Sequence, residues 1–172
     1  MIKTFEKYLI EELSASKLNF GKNPTITNSV IFNNPQNITL GDNVRIDHGC
    51  LLIAGKDSFI HIGDNTHINA YCAIHANNAN VTIGKEVDIG IFTVIFTAYY
   101  DFTKFFPRQH EHTGPVLIED NSIIGPSNTI LANTTFGKSS AVGTNSFVKN
   151  SVPSYTVVGG NPAHFIKNKT DE

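Results

Sequence analysis

Apolar residues recur at every sixth position over most of the chain, and this period restricts the fold more than any other feature. Fifteen aliphatic or Phe residues form five sets of three, with a spacing of six inside each set. They are Leu40, Ile46, Leu52, Ile62, Ile68, Ile74, Ile83, Ile89, Ile95, Ile118, Ile124, Ile130, Phe136, Val142 and Val148. A weaker set begins at Ile26 and Phe32. Amphipathic helices repeat about every 3.6 residues and half-buried strands about every two, so neither explains this period.

Two further columns of residues show what each six-residue unit does. Small or β-branched residues stand four positions after the apolar ones, and Gly often follows directly, as in Gly41, Gly63 and Gly84. We interpret each unit as a short strand plus a corner, where glycine supplies backbone freedom. Three strands then form a triangular coil, and coils stack at about the 4.8 Å spacing of paired strands. The sequence therefore predicts an all-β fold, a parallel β-helix of about six coils.

The same register accounts for the two cysteines of the chain. Cys50 and Cys72 occupy the small inward position of adjacent coils, one above the other. We predict buried packing thiols, with a redox pair as the less favoured alternative.

The insertions between coils all follow the third strand of a set, so every extra segment leaves the prism along one edge. The insertions before Leu40, Ile62 and Ile83 are two, four and three residues long, whereas the insertion before Ile118 has about seventeen residues. This long insertion, residues 97–115, is called the arm. Because insertions on one side of a solenoid often form its binding side, we expect the arm to build a site. Its aromatic cluster predicts either packing on a neighbouring subunit or a stacking wall for a sugar ring.

Composition argues against several classes of function. The net charge is −2 and no basic run exceeds two residues, so a nucleic-acid surface is not expected. No apolar run is long enough to cross a bilayer, and the N-terminus lacks the features of a signal peptide, so we expect a cytoplasmic protein. Near the N-terminus, Phe5, Leu9, Ile10 and Leu13 have helical spacing, which predicts a short helix that caps the prism.

The C-terminal part resembles a known family of enzymes. The segments "PVLIEDN" and "VPSYTVVGGNPAHFIK", with the Ile-Gly and Val-Gly units between them, resemble the hexapeptide-repeat acyltransferases. The likeness spans residues 38–167 and is strongest to sugar and polysaccharide O-acetyltransferases related to the galactoside and maltose acetyltransferases. It implies a left-handed β-helix, a homotrimer with sites at subunit boundaries, and acetyl-CoA as co-substrate. The implied organisation is a capping helix (1–20), the β-helix with its arm (21–152), and a short helix or tail (153–172) that closes the CoA site.

The resemblance also assigns residues to the acetyl-CoA groove. Two glycines match family positions that face the pantetheine, and Thr144 stands where the family usually has Ala. A Lys-Asn pair replaces the usual Thr-Lys, which moves the phosphate-contacting lysine by one position, and Lys167 is a second phosphate candidate. Ordinary solvated surface stays the alternative for both lysines. The candidates are Gly125, Gly143, Thr144, Lys149, Asn150 and Lys167.

The expected catalytic base is the main departure from the family. Its members usually carry a His just before the arm, and Tyr100 stands there in "IFTAYYDF". One alternative is that His110 or His112 folds back as the base, with Glu111 or Asp101 orienting its ring. Another is Tyr100 itself, although a phenol with a pKa near 10 is a poor base at neutral pH. In a third alternative, the acceptor is an amine or a polarised hydroxyl, and correct positioning of the acceptor suffices for transfer without a catalytic base. A solvated loop tip stays the alternative for "HEH".

The remaining histidines do not form a convincing ligand set. His75 belongs to an outward column with Ile53, Phe96 and Leu131, which is apolar and predicts a subunit interface. The γ-class carbonic anhydrases use the same fold with zinc, but the spacing of their ligands is not matched here. We expect no metal.

The leading hypothesis is an acetyl-CoA-dependent O-acetyltransferase that acts on a sugar or a surface-polysaccharide precursor by direct transfer in a ternary complex. N-acetylation of an amino-sugar nucleotide and a non-catalytic trimer that keeps the fold stay as alternatives. The predicted partners are a sugar or glycan acceptor and further copies of the chain.

Overall fold

Three parallel sheets surround one apolar core in a computed structural model of the chain, and they form the walls of a triangular prism. The structure describes residues 15, 17–101 and 103–170. The helix predicted from Phe5, Leu9, Ile10 and Leu13 lies outside the described residues. The first strand begins at Asn19, close to the expected start of the β-helix.

Each coil of the prism contributes one strand to each wall. The first coil comprises β1 (Asn19–Phe20), β2 (Thr25–Ile26) and β3 (Ile31–Asn33), and a 3-10 turn at Pro35–Asn37 follows it. The second comprises β4 (Ile38–Leu40), β5 (Arg45–Ile46) and β6 (Leu51–Ala54). The third comprises β7 (Ile60–Ile62), β8 (His67–Ile68) and β9 (Ala73–Ala76). The fourth comprises β10 (Val81–Ile83), β11 (Asp88–Ile89) and β12 (Val94–Phe96).

The arm separates the fourth coil from the last two. It contains β13 (Ala98–Tyr100), a 3-10 turn at Pro107–Gln109 and β14 (Glu111–Thr113). The fifth coil comprises β15 (Val116–Ile118), β16 (Ile123–Ile124) and β17 (Thr129–Ile130). The sixth comprises β18 (Thr134–Phe136), β19 (Ala141–Val142) and β20 (Phe147–Val148). The chain ends with β21 (Thr156–Gly159) and β22 (His164–Asn168).

The walls follow the register that the sequence period predicts. The first wall contains β1, β4, β7, β10, β15 and β18, the second begins with β2, and the third begins with β3. Ile62, Ile83 and Ile118 lie side by side on the first wall. The insertions therefore leave along the edge between the third and first walls. The C-terminal segment, for which a helix or a tail was expected, is a strand, because β22 pairs antiparallel with β21 on the second wall.

The core includes all the residues that the six-residue period selects. All fifteen are nearly or fully buried, and burial of each large aliphatic side chain contributes about 1.5–3 kcal/mol. The small inward positions are also buried, and their hydroxyls satisfy corner carbonyls. Thr66 Oγ1 donates to Gly84 O at 2.8 Å, and Ser122 Oγ donates to Gly137 O at 3.2 Å. Polar side chains can therefore occupy the corners of the core without loss of hydrogen bonds.

The corner glycines have a different role from the one predicted. The positive φ of the first corner falls on Asn43 (55°) and Asn65 (55°), two residues after Gly41 and Gly63. Glycine is required there by the close stacking of coils: a Cβ on Gly63 would lie 2.6 Å from Gly84 C. The expectation that these glycines supply unusual backbone angles was wrong, because asparagine adopts the left-handed conformation and glycine provides space.

The cysteine prediction is confirmed. Cys50 and Cys72 are free, buried and in adjacent coils, one residue before the paired Leu51 and Ala73. Each thiol donates to a corner carbonyl, Cys50 Sγ to Asn69 O at 3.0 Å and Cys72 Sγ to Gly90 O at 3.2 Å.

Candidate active site

The arm folds back on itself as a β-hairpin. Ala98 pairs with Thr113, Tyr99 with His112 and Tyr100 with Glu111 in antiparallel register. The backbone N–H of Gly114 donates to Thr97 O at 3.0 Å and closes the base of the hairpin. The arm is therefore a defined projection at the edge of the third wall, as its position in the sequence predicted.

Thr97 fixes the arm to the third coil. Its side chain is fully buried, and its Oγ1 accepts a 2.7 Å hydrogen bond from the backbone N–H of Asn77. The same hydroxyl lies 2.9 Å from Asn77 O and 3.2 Å from His75 O. The last strand of the fourth coil is thus tied to the corner of the coil before it, where the arm leaves the prism.

A cavity of about 620 Å³ lies between the arm and the outer face of the third wall. Its floor is apolar and is formed by Phe96, Leu131 and Phe147, while its rim carries polar groups. Its lining contains two carboxylates, and no Lys or Arg among the described residues. The lining residues are His75, Asn77, Phe96, Ala98, Tyr99, Tyr100, Asp101, Thr103, Glu111, Leu131 and Phe147.

Asp101 is held by its own turn at the rim of this cavity. Its Oδ1 accepts hydrogen bonds from Thr103 Oγ1 at 2.6 Å and from Thr103 N at 3.0 Å. These two bonds lower the pKa of the Asp101 carboxyl below its usual value. The other oxygen, Oδ2, lies 3.7 Å from His112 Nε2. Asp101 is consequently an ionised group in a defined orientation.

The predicted catalytic residues separate into two groups. Tyr100 and Asp101 line the cavity, whereas His110 and His112 do not. The backbone O of His110 accepts a hydrogen bond from Asp101 N at 2.9 Å, and the His110 residue is exposed. His112 stacks on Tyr99 and is also exposed. A catalytic role for either histidine stays a prediction.

His75 is the functional candidate that the sequence interpretation passed over. The cavity includes it, and its ring lies against Phe96 with centroids 5.5 Å apart. Burial lowers the pKa of His75 from its usual value of 6.5, so the imidazole is neutral at neutral pH. Its outward position after Ile74 was readable from the period. The period did not show that this part of the outward column faces the arm. The role of the column in a subunit interface stays a prediction.

The predicted cofactor residues lie in three places. Gly125 and Gly143 occupy the same corner, between the second and third walls, in adjacent coils, and Thr144 is exposed beside them. Lys149 and Asn150 follow β20 at the other edge of the third wall and are exposed. Lys167 is exposed on β22 of the second wall, opposite Val157. The structure thus brings the first three together and separates the two lysines.

Space at the glycine corner differs between the two coils. A Cβ on Gly125 would lie 2.8 Å from Val142 O and 3.0 Å from Thr144 N. A Cβ on Gly143 would meet nothing closer than Val158 O, at 3.6 Å. A Cβ is therefore accommodated at Gly143 in ordinary van der Waals contact, whereas at Gly125 it is not.

The described residues contain no group of three His, Cys, Asp or Glu side chains that could hold a metal ion. Within the same residues, none of the helical segments combines the length and the apolar composition that a membrane-spanning helix needs.

Comparison with known proteins identifies the family. The chain is 30% identical over 172 residues to the dTDP-4-amino-4,6-dideoxy-D-glucose acyltransferase of Escherichia coli, with 94% of the chain and 88% of that enzyme covered. The chain belongs to the hexapeptide-repeat acyltransferases. No protein-family model matches it. A second Escherichia coli relative, named as the lipopolysaccharide biosynthesis O-acetyl transferase WbbJ, is 30% identical over 151 residues, with 81% of the chain and 76% of the relative covered.

Solved structures of other hexapeptide-repeat acyltransferases share the fold. AntD, an N-acyltransferase from Bacillus cereus in complex with dTDP and 3-hydroxybutyryl-CoA, has a TM-score of 0.84 and 31% identity, with 93% of this chain and 88% of AntD covered. A hexapeptide-repeat acetyltransferase from Vibrio cholerae, complexed with acetyl-CoA, has a TM-score of 0.67 and 28% identity, with coverage of 95% and 79%. The left-handed parallel β-helix and the acyltransferase class are confirmed, and acetyl-CoA as co-substrate is confirmed for the family.

Proposed function

We propose that this protein transfers an acetyl group from acetyl-CoA to the amino group of a nucleotide-linked amino sugar. The observation that carries the proposal is the charge of the cavity: Asp101 and Glu111 line it, and the described lining holds no Lys or Arg. An ammonium group is attracted to such a rim, whereas a neutral hydroxyl gains little from it. The apolar floor of Phe96, Leu131 and Phe147 fits the deoxygenated face of a sugar ring.

The chemistry needs three contributions from the cavity. Asp101, kept ionised by Thr103, attracts the ammonium form of the acceptor. His75, kept neutral by burial, accepts the proton that the amine must lose before it attacks. The phenol of Tyr100 donates a hydrogen bond to the thioester oxygen as negative charge develops there.

The transfer itself forms one bond and breaks one. The amine nitrogen attacks the thioester carbonyl carbon, and the carbon–sulfur bond breaks as the tetrahedral intermediate collapses. The CoA sulfur leaves as a thiolate and takes up a proton, and the nitrogen loses its second proton to give a neutral amide. An amine is a stronger nucleophile than a hydroxyl, so it tolerates Tyr100 in place of the family histidine.

The relatives support both an acyl-CoA donor and a nucleotide-linked amino sugar as the acceptor. One curated relative is a dTDP-4-amino-4,6-dideoxy-D-glucose acyltransferase, and a variant of AntD is known in complex with dTDP-4-amino-4,6-dideoxyglucose and coenzyme A. Gly125, Gly143 and Thr144 would hold the pantetheine at the corner between the second and third walls, with phosphate contacts from Lys149 or Asn150 and from Lys167. We further propose a homotrimer that acts in the cytoplasm, where acetyl-CoA and nucleotide sugars are available.

O-acetylation of a sugar in surface-polysaccharide assembly is the second candidate, and the likeness to WbbJ favours it. In that reaction the hydroxyl needs stronger base catalysis, so a contribution from His110 or His112 would be required. The two reactions differ in the linkage of the product, which is an amide in one case and an ester in the other.

One assay distinguishes them. The protein is incubated with radiolabelled acetyl-CoA and either dTDP-4-amino-4,6-dideoxyglucose or the matched dTDP-6-deoxyglucose, which carries a hydroxyl at the same carbon. We expect label in the amino sugar alone, in a product that resists mild alkaline hydroxylamine. An alkali-labile product from the hydroxyl sugar would favour O-acetylation, and no transfer to either acceptor would contradict the proposal.

A further inference from the structure

An exposed stack of aromatic rings runs along the corner between the second and third walls. Tyr71 and Phe92 occupy equivalent positions in the third and fourth coils, and their rings are nearly parallel, with centroids 5.3 Å apart and an interplanar angle of 11°. His48 meets the edge of Tyr71 at 5.0 Å. Tyr71 is 49% exposed and Phe92 is 54% exposed. Neither ring contributes to the core of the prism.

The backbone at these two positions is unfavourable for aromatic residues. Tyr71 has φ 57° and Phe92 has φ 62°, in the left-handed region that bulky side chains rarely adopt. Equivalent positions elsewhere on the same corner carry Gly49, Ser127 and Asn145, which are small or tolerate this conformation. Two aromatic residues at such sites strain the backbone while about half of each residue stays exposed, and strained positions of this kind are often explained by function.

The stack ends with an uncovered ring face. Val94 pairs with Thr129, so Phe92 lies directly above Ser127 of the fifth coil, and Ser127 N donates to Ile91 O at 2.8 Å. The serine side chain is too small to cover an aromatic ring. At the other end, Tyr71 lies over Gly49, where a Cβ would overlap with its ring. One more planar ring can therefore continue the series on the open face of Phe92.

We propose that Tyr71 and Phe92 form the platform on which the pyrimidine base of the acceptor nucleotide stacks. The inference rests on the proposed function, because it names the part of the acceptor that lies outside the cavity. A base stacked on an aromatic ring gains binding energy without needing specific hydrogen bonds. The platform binds the base of a nucleotide through stacking, whichever base it is, while the sugar of that nucleotide enters the cavity.

The position of the platform matches the length of the acceptor. Phe92 lies in the corner two residues before β12 (Val94–Phe96), whose last residue is part of the cavity floor. The four residues from Phe92 to Phe96 span at most about 13 Å, and a ribose with a diphosphate can bridge that distance. The adenine of CoA is the other available base, because Gly125, a candidate for the pantetheine, lies at the same corner in the coil next to Phe92. Separate titrations with dTDP and coenzyme A therefore distinguish the two bases.

Asparagine provides a test that does not depend on damage to the fold. Phe92→Asn removes the ring and introduces a residue that favours positive φ, so its Tm should equal or exceed that of the unaltered protein. Phe92→Tyr keeps the ring and is the matched control. Titration calorimetry measures dTDP and coenzyme A binding to each protein separately. We expect Phe92→Asn to bind dTDP roughly 5- to 100-fold more weakly, with coenzyme A affinity unchanged and Phe92→Tyr within about twofold.

Three results from the Phe92→Asn variant would overturn the inference: unchanged dTDP affinity, an equal or larger loss for coenzyme A, or dissociation of the oligomer measured by light scattering. The last result would assign the rings to a subunit interface. Absence of dTDP binding to the unaltered protein would also contradict it. Because binding is measured without turnover, the platform can be established even if the amide product never forms, so its failure is distinct from failure of the proposed function.

Discussion

His112 stacks its imidazole on the ring of Tyr99, with centroids 5.0 Å apart and an interplanar angle of 22°. The stack joins the two strands of the arm and leaves His112 Nε2 3.7 Å from Asp101 Oδ2. His112 is therefore placed to shape the hairpin that carries Asp101, and it stands outside the lining of the cavity.

The first prediction tests whether His112 shapes the hairpin or acts as the catalytic base. His112→Ala should raise KM for the acceptor a few-fold and change kcat little, because the arm loses a stacking contact worth about 1 kcal/mol. His110→Ala, at the exposed tip, should leave both constants unchanged. Steady-state kinetics with the amino sugar checks this. A fall in kcat of about 100-fold or more for either variant would instead identify an arm histidine as the base.

The second prediction concerns His75 as the proton acceptor. His75→Gln keeps a polar side chain of similar size but cannot take up a proton, so kcat should fall by about 100-fold or more. His61→Gln, on the exposed outer face of the first wall, is the matched control and should be indistinguishable from the unaltered protein. Similar kcat values for the two variants would remove His75 from the mechanism.

The third prediction follows from the lowered pKa of His75. The unfolded chain takes up a proton on this residue near pH 6.5, whereas the folded protein does so only at lower pH. The unfolded state therefore binds more protons in that window, and the free energy of unfolding falls as the pH drops through it. Urea unfolding between pH 5 and 7.5 should show that fall diminished in His75→Gln. An identical pH dependence in both proteins would contradict the burial effect.

The fourth prediction tests the charge of the cavity. Asp101→Asn should raise KM for the amino sugar about two- to fivefold, since the carboxylate is partly exposed and such pairs are weak. KM for acetyl-CoA should not change. Asp57→Asn, which removes the same charge from an exposed loop outside the cavity, is the control. An equal effect of both variants would show that only net charge matters.

The fifth prediction compares two glycines of one corner. Gly125→Ala forces a Cβ to 2.8 Å from Val142 O, so it should lower stability by about 1–3 kcal/mol. Gly143→Ala places its Cβ in ordinary van der Waals contact, 3.6 Å from Val158 O, and should leave the Tm nearly unchanged. If the pantetheine passes this corner, Gly143→Ala should raise KM for acetyl-CoA. Unaltered kinetics in a stable Gly143→Ala protein would place the pantetheine elsewhere.

Particular residues show how much the sequence determined. The period of six identified Ile62, Ile83 and Ile118 as one inward column, stacked Cys50 on Cys72, and placed every insertion on one edge. These features were predictable because a solenoid repeats one local geometry, so the position of a side chain in its unit fixes the direction in which it points.

Only the tertiary structure determined the conformation of segments outside the six-residue repeat and the contacts that they make. The arm lacks the repeat, so only its long-range pairing shows that Tyr100 faces the cavity while His112 stacks on Tyr99. The inclusion of His75 in the cavity depends on where the hairpin lies, and the need for Gly63 depends on the coil beneath it. Contacts between segments distant in sequence are set by packing and by hydrogen bonds such as those of Thr97, which residue spacing does not encode.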